Sequence, residues 1–140
     1  MSLQLTPFIM LDGTADEAIR FYEQALNAVV VFKQTFGDAP EDPAHPIPEE
    51  AKHRIAHSVL KIGDAELFVA DSDPGQPHQQ GNLISICISV EDVEQAKRLF
   101  DALKEGGQVN LPLQEIYFSP GFGVVTDKFG AMFQIFTKRK

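Results

Sequence analysis

Two stretches of the sequence decide the fold: DEAIRFYE at residues 16–23 and EQAKRLFD at residues 94–101. They lie 78 residues apart and repeat one order of acidic, small apolar, basic, aromatic and acidic positions. Around both stretches, apolar residues recur at spacings of three and four, which is the pattern of a helix with one apolar face. The repeat predicts an internal duplication with one amphipathic helix in each half.

Segments rich in β-branched and aromatic residues flank both helices. In the first half, strands are predicted at 3–10, 28–36, 55–62 and 66–71, and a helix at 14–26 with Thr14 as its N-cap. In the second half, strands are predicted at 82–90, 109–115, 122–126 and 132–137, and a helix at about 91–103. Both halves therefore follow the order β-α-β-β-β, and the turn-forming segment 73–77 is expected to link them.

One helix can cover only one face of a sheet, so each half leaves one sheet face open. We therefore predict an α+β fold of two βαβββ modules, whose curved mixed sheets form an open cup with the helices outside. The chain, 1–140, is expected to be a single domain made of two modules at about 1–72 and 80–140. The interior of such a cup is filled by side chains, a ligand or a metal.

The composition narrows the classes of partner. Of 140 residues, 12 are Lys or Arg and 20 are Asp or Glu, which gives a formal net charge of -8. This excess of acid repels a phosphate backbone, and the basic cluster at 138–140 is too short for a binding face, so we predict no nucleic-acid partner. The longest apolar runs, such as 28–32, are far shorter than the roughly 20 residues of a membrane span, so no membrane partner is expected.

The absence of a signal-like N-terminus and the presence of one cysteine, Cys87, favour a cytoplasmic protein. Because Cys87 lies between Ile86 and Ile88, it is predicted to be a buried strand thiol rather than a nucleophile. The segment 37–50 holds four prolines and five acids without Lys or Arg, so it is either a solvated loop or a lid over a ligand.

Four segments carry a resemblance to a known family: LTPFI at 5–9, AIRFYEQAL at 18–26, HSVLKIGD at 57–64 and GFGVVTDKFG at 121–130. Their order and spacing resemble the vicinal oxygen chelate superfamily, which includes glyoxalase I, extradiol dioxygenases and bleomycin-resistance proteins. Within it, the sequence is most similar to the PhnB-like branch. The resemblance implies a glyoxalase-like domain and a homodimer.

The resemblance also implies where a metal would be bound. The metal enzymes of the superfamily place one ligand on the first and last strand of each module, and these places correspond to Pro7, Phe68, Ser85 and Gln134. Proline and phenylalanine have no side-chain donor, and serine and glutamine oxygens are weak neutral ligands. We therefore predict no cofactor, with a divalent metal as the disfavoured alternative.

Other residues are candidates for binding or catalysis. His57 is either a general base or hydrogen-bonding group in the cup near Gln134, or a packed strand residue. His53 cannot share an ion with it, because four residues of a strand span about 13 Å. Tyr117 and Phe118, followed by the glycine-rich stretch 119–123 that contains Phe122, either wall a small-molecule pocket or belong to a hairpin with core aromatics.

Three functions remain open at this point. The first is small-molecule binding in a metal-free cup, with Pro7, Phe68, Ser85, Gln134, Tyr117 and Phe122 as ligand-binding residues and His57 as the candidate catalytic residue. The second is an enzyme, either using His57 as a base without metal or a metal-dependent lyase or dioxygenase. The third is a structural or regulatory dimer whose cup is filled by Phe8, Phe68 and Phe133. Methyl transfer, a label that some PhnB-like sequences carry, has no support from a glycine-rich cofactor loop.

Overall fold

The computed structural model describes residues 3–40, 42–76 and 79–139. The chain divides into two compact units, 1–78 and 79–140. Within the described residues, each unit holds one α-helix and one four-stranded sheet. None of the helices in these residues is long and apolar enough to cross a membrane.

The first unit builds its sheet in the spatial order β1-β4-β3-β2. Its elements are β1 (Phe8–Leu11), α1 (Ala15–Ala25), β2 (Val29–Thr35), β3 (Ile55–Ile62) and β4 (Ala65–Asp71). β1 pairs with β4 in parallel, and the other neighbours are antiparallel. Two short 3₁₀ turns, Phe36–Asp38 and Glu49–Ala51, lie in the long connection between β2 and β3.

The second unit repeats this topology in the order β5-β8-β7-β6. Its elements are β5 (Ile86–Val90), α2 (Val93–Lys104), β6 (Gln108–Ile116), β7 (Ser119–Thr126) and β8 (Met132–Thr137). β5 pairs with β8 in parallel, and the remaining pairs are antiparallel. The predicted α+β class and the repeated β-α-β-β-β order are confirmed.

In the first unit, the core lies between α1 and one face of the sheet. The helix buries its apolar stripe there, and the sheet contributes alternate residues of β3 and β4. These core residues are Ala15, Ala18, Ile19 and Tyr22 from α1, with Leu60, Leu67 and Val69 from the strands. Because side chains alternate between faces along a strand, the residues between them, such as Phe68, point to the face that α1 does not cover.

Asp71, at the end of β4, fixes the start of α1. Its carboxylate is buried and accepts hydrogen bonds from the backbone N–H groups of Gly13 at 2.7 Å, Ala15 at 3.1 Å and Ile55 at 2.9 Å. Thr14, the predicted N-cap, makes no side-chain capping bond. Asp71 therefore caps the helix from a strand that is distant in sequence. Residues 12–17, which form the start of the helix, do not by themselves predict this cap.

In the second unit, α2 is capped by the residue that precedes it, and a glycine of β7 allows the helix to pack closely on the sheet. The side chain of Asp92 accepts from the Gln95 N–H at 2.7 Å and caps α2 directly. On β7, a Cβ added to Gly123 would lie 2.7 Å from the Phe100 ring of α2. Gly123 therefore allows the aromatic side chain of the helix to approach the strand backbone closely.

Several predicted boundaries are wrong for identifiable reasons. Residues 3–7 and 82–85 precede the strands β1 and β5, although their composition is β-rich. β7 begins at Ser119 rather than Phe122, because the buried Ser119 hydroxyl donates to the Thr137 carbonyl at 2.8 Å and ties this end of β7 to β8. A proline and two glycines inside this strand make it hard to recognise from the sequence.

Replacement of Asp71 by Asn tests this cap. The substitution keeps the side-chain volume but removes the charge and one acceptor, so we expect the free energy of unfolding to fall by about 2–4 kcal/mol in urea denaturation. Asp64→Asn, in the exposed β3–β4 turn, is the matched control and is expected to change it by less than about 0.5 kcal/mol. Equal effects of the two substitutions would contradict the capping role.

Candidate functional site

The face of the first sheet that α1 does not cover carries an aromatic cluster around His57. The imidazole centroid lies 5.0 Å from that of the Phe68 ring, 6.1 Å from Phe32 and 6.2 Å from Phe8. Phe8 and Phe68 also meet edge to face at 6.0 Å. These separations fall in the favourable range for aromatic pairs, and we call the four residues the His57 cluster.

Strand register places this cluster. Phe8 of β1 is the parallel partner of Phe68 of β4, and Phe68 is in turn opposite Val59 of β3. His57 lies two residues before Val59 and therefore projects from the same face. An irregularity in β2 between Val30 and Phe32 brings Phe32 opposite Val59 as well.

The His57 cluster is an exposed apolar surface with a polar centre. Phe8 is 48% exposed and Phe32 46% exposed, while His57 and Phe68 are partly exposed. Apolar side chains grouped on one face in this way are typical of an interaction or ligand-binding surface. At its centre, the imidazole can both donate and accept a hydrogen bond when neutral.

The second sheet carries its own aromatic group at a different place in the fold. The Phe118 ring lies 5.0 Å from Phe122 and stacks on Phe136 at 6.0 Å, and the 92%-exposed Tyr117 meets Phe118 at 5.0 Å. Tyr117 and Phe122, two predicted ligand-binding residues, thus belong to one aromatic group through Phe118. The sequence places Phe118 in the same aromatic stretch, but it does not reveal that this ring contacts the other three.

The glycines beside this group face the helix. Substituted Cβ atoms at Gly121 and Gly123 would meet Val93 and Phe100 of α2. Their role in the described structure is therefore close helix–strand packing.

Strand register also locates the four positions derived from the family's metal ligands. Pro7 precedes β1 and accepts a hydrogen bond from the Phe68 N–H through its carbonyl at 3.0 Å. Ser85 precedes β5, and the parallel partner of Gln134 is Cys87 rather than Ser85. Phe68 and Gln134 occupy matching places in their sheets, since Phe8 and Cys87 are their respective partners.

Pro7 and Ser85 do not occupy equivalent places in their sheets, because the loops before the two helices differ in length. Three residues, 12–14, separate β1 from α1, but only two, 91–92, separate β5 from α2. The helices therefore correspond at an offset of 78 residues, whereas the preceding strands correspond at 79. By strand register, the residues that match are Phe8 and Cys87.

These side chains do not form a plausible metal centre. Of the positions matched by strand register, Phe8 and Phe68 have no side-chain donor and Gln134 offers a weak neutral oxygen, so Cys87 alone has a side chain that binds metals well. Within residues 3–40, 42–76 and 79–139, no three His, Cys, Asp or Glu side chains group closely enough to hold an ion. The chemistry of the donor set thus disagrees with a family-type divalent metal.

Cys87 is exposed, so its predicted burial is wrong. The alternation along β5 explains the error, because Ile86 and Ile88 point to the opposite face of the strand from Cys87. His57 and Gln134, predicted to lie close together, belong to different units, and their proximity stays a prediction.

The segment 37–50 is mostly exposed, and its residue Glu41 lies outside the described residues. Thr35 and Asp38 form a capping box around the first 3₁₀ turn, and Lys52 pairs with Glu49 at 2.9 Å. A cavity of about 240 Å³ lies within this connection, between residues such as Phe36, Pro43 and Ile47. The loop and the lid interpretations both stay predictions.

Two mixed sheets of βαβββ topology define a glyoxalase-fold protein, and comparisons with known proteins identify the family. The family model described as 3-demethylubiquinone-9 3-methyltransferase matches residues 3–136. The chain belongs to this PhnB-like family.

Three similar proteins illustrate the relationship. Protein YjdN of Escherichia coli (strain K12) is 31% identical over 140 residues, which cover 95% of this chain and 94% of YjdN. The crystal structure of PA1353 from Pseudomonas aeruginosa is 33% identical with a TM-score of 0.88, covering 99% of this chain and 100% of that one. The fosfomycin resistance protein FosX from Listeria monocytogenes shares the fold at 10% identity and a TM-score of 0.68, over 99% of this chain and 95% of that one.

The family description implies a methyl donor such as S-adenosylmethionine, which the residues present do not fit. Nucleotide-type cofactors are commonly held at a free helix N-terminus after a glycine-rich turn. In the first unit, the N–H groups of Gly13 and Ala15 at this terminus already donate to Asp71. In the second unit, Asp92 occupies the equivalent place.

The exposure of Cys87 is testable with a thiol reagent. Because the chain has one cysteine, we expect Ellman's reagent to modify one thiol per chain in the native protein, and Cys87→Ser to abolish the reaction. The unfolded protein provides the control for stoichiometry. Modification that occurs only after unfolding in guanidinium would contradict the described orientation of β5.

Proposed function

We propose that this protein binds a small, largely aromatic molecule against the His57 cluster, without the divalent metal of the superfamily's enzymes. The observation that carries the proposal is one imidazole in ring contact with Phe8, Phe32 and Phe68 on a sheet face that α1 leaves uncovered. The three phenylalanines supply apolar contact area, and His57 supplies a hydrogen bond that orients the ligand.

The absence of suitable donors at the family's ligand positions supports the metal-free part of the proposal. A FosX variant has been crystallised with Mn(II) and dihydroxypropylphosphonic acid, but at 11% identity this relationship concerns the fold alone. In our chain, Phe68 stands where a donor would be needed, and a phenyl ring cannot replace it. Binding therefore depends on apolar contact and hydrogen bonds.

We extend the proposal to the remaining predicted residues and to the oligomeric state. The predictions that Pro7, Ser85, Gln134, Tyr117 and Phe122 contribute to ligand binding are kept as part of this proposal. A homodimer is proposed from the family resemblance, and it is supported by four apolar side chains that are at least 83% exposed: Leu3, Leu5, Leu83 and Ile84. Cytoplasmic localisation remains part of the same proposal.

A second candidate is catalysis with His57 as a general base. It is favoured by the partial exposure of the imidazole, which leaves it accessible to a substrate proton. Once a substrate is known, His57→Gln is expected to abolish turnover if the imidazole moves the proton. An unchanged rate would leave binding as the function.

The binding proposal can be tested with 2-naphthol, a flat aromatic probe with one hydroxyl group. We expect saturable quenching of its fluorescence by the wild-type protein. Replacement of His57 by Leu should weaken binding about tenfold, because it removes both the hydrogen bond and a ring contact. The affinity of His57→Gln, which keeps a polar group, should fall between the affinities of the wild type and His57→Leu.

His53→Leu is the matched control, because His53 lies four residues earlier and is exposed outside the cluster. This variant should bind 2-naphthol like the wild type. Phe68→Leu provides a second test that leaves the histidine in place. Equal affinity of wild type, His57→Leu and Phe68→Leu would overturn the proposal, and so would binding that requires added Mn or Zn.

A further inference from the structure

A polar pocket lies at one end of the second sheet, where β6 begins, β7 ends and β8 begins. Its volume is about 460 Å³. Five uncharged polar side chains line it together with Met132 and two glycines, and these five are Gln80, Asn82, Gln108, Asn110 and Thr126. Four of the five are primary amides, each of which carries two donor hydrogens and an acceptor oxygen.

Two of the amides make hydrogen bonds that orient them. The Thr126 hydroxyl donates to Asn110 Oδ1 at 2.7 Å, which leaves the Nδ2 group of Asn110 as a donor to a ligand. Gln80 Nε2 donates to the Gly130 carbonyl at 3.3 Å, which leaves Oε1 of Gln80 as an acceptor. A Cβ at Gly130 would lie 2.7 Å from Gln80 Cδ, so the glycine permits this approach.

The pocket lining carries no charged side chain. An adjoining cavity of about 290 Å³ shares Gln80, Gln108 and Thr126 and adds Asp127 and Lys128. The Asp127 carboxylate is buried and accepts from the N–H groups of Phe129 and Ala131, so it serves the β7–β8 turn. Lys128 lies over the Phe129 ring at 5.4 Å, and with a net charge of -8 on the chain the uncharged pocket itself does not favour an anion.

We propose that this pocket binds an uncharged polyhydroxylated molecule, a sugar or a polyol. Two neighbouring hydroxyl groups can donate to an amide oxygen such as Gln80 Oε1 and accept from an amide nitrogen such as Asn110 Nδ2. The C–H face of such a ligand would pack on Met132, and on Phe129 where the adjoining cavity begins. The site is distinct from the His57 cluster and does not depend on it.

The side-chain NH₂ groups of asparagine and glutamine are observable by ¹⁵N–¹H NMR, which gives a direct test on the full chain. Titration with D-glucose and with myo-inositol should shift the Asn110, Gln80 and Gln108 side-chain signals saturably. Because the pocket is open, we expect a Kd in about the millimolar range. Asn110→Ala should weaken binding about tenfold. Thr126→Val, which removes only the hydroxyl that orients Asn110, should weaken it several-fold.

Three controls make the result decisive. Gln24→Ala, at an exposed glutamine of α1, should bind both polyols like the wild type. Gluconate, glucosamine and N-methylurea test an anion, a cation and an uncharged amide in turn. His57→Leu should leave polyol binding unchanged, so failure of the His57 proposal and failure of this one are distinguishable.

Several outcomes would overturn the proposal. They are the absence of saturable shifts with both polyols, unchanged affinity in both Asn110→Ala and Thr126→Val, and tighter binding of gluconate, glucosamine or N-methylurea than of either polyol.

Discussion

The single helix of each unit covers one face of a four-stranded sheet, and the remaining features follow from this constraint. In the first unit, Asp71 ties the end of β4 to the first turn of α1 and to the start of β3. This anchor fixes which face of each strand packs under the helix. The alternate positions, including His57 and Phe68, are thereby directed to the uncovered face, where they form the His57 cluster.

Much of the fold could be predicted from the sequence, because helix periodicity and strand composition are local signals. The repeat between residues 16–23 and 94–101 correctly indicates two helices that begin at equivalent positions. Features that depend on distant contacts could not be predicted. The cap supplied by Asp71 is 56 residues away from Ala15, and the loop before α2 is one residue shorter than the loop before α1.

In the candidate site, too, the residues could be predicted locally, whereas their contacts depend on strand register. His57, Phe8 and Phe68 could be singled out from the sequence, but the pairing of Phe8 with Phe68 depends on the parallel register. Phe32 joins them only through the irregularity in β2. The shorter loop before α2 makes Phe8 correspond to Cys87 at an offset of 79 residues, and the parallel register then makes Cys87 the partner of Gln134. Family membership therefore predicts the scaffold well, whereas the chemistry depends on the side chains that this chain presents.

The central claim is that the His57 cluster receives an aromatic ligand. The most direct measurement is an intermolecular nuclear Overhauser effect between 2-naphthol and the ring protons of His57 and Phe68. The predicted result is contacts from 2-naphthol to both rings. Contacts confined to the Phe118 group, or to no residue of the first sheet, would contradict the account.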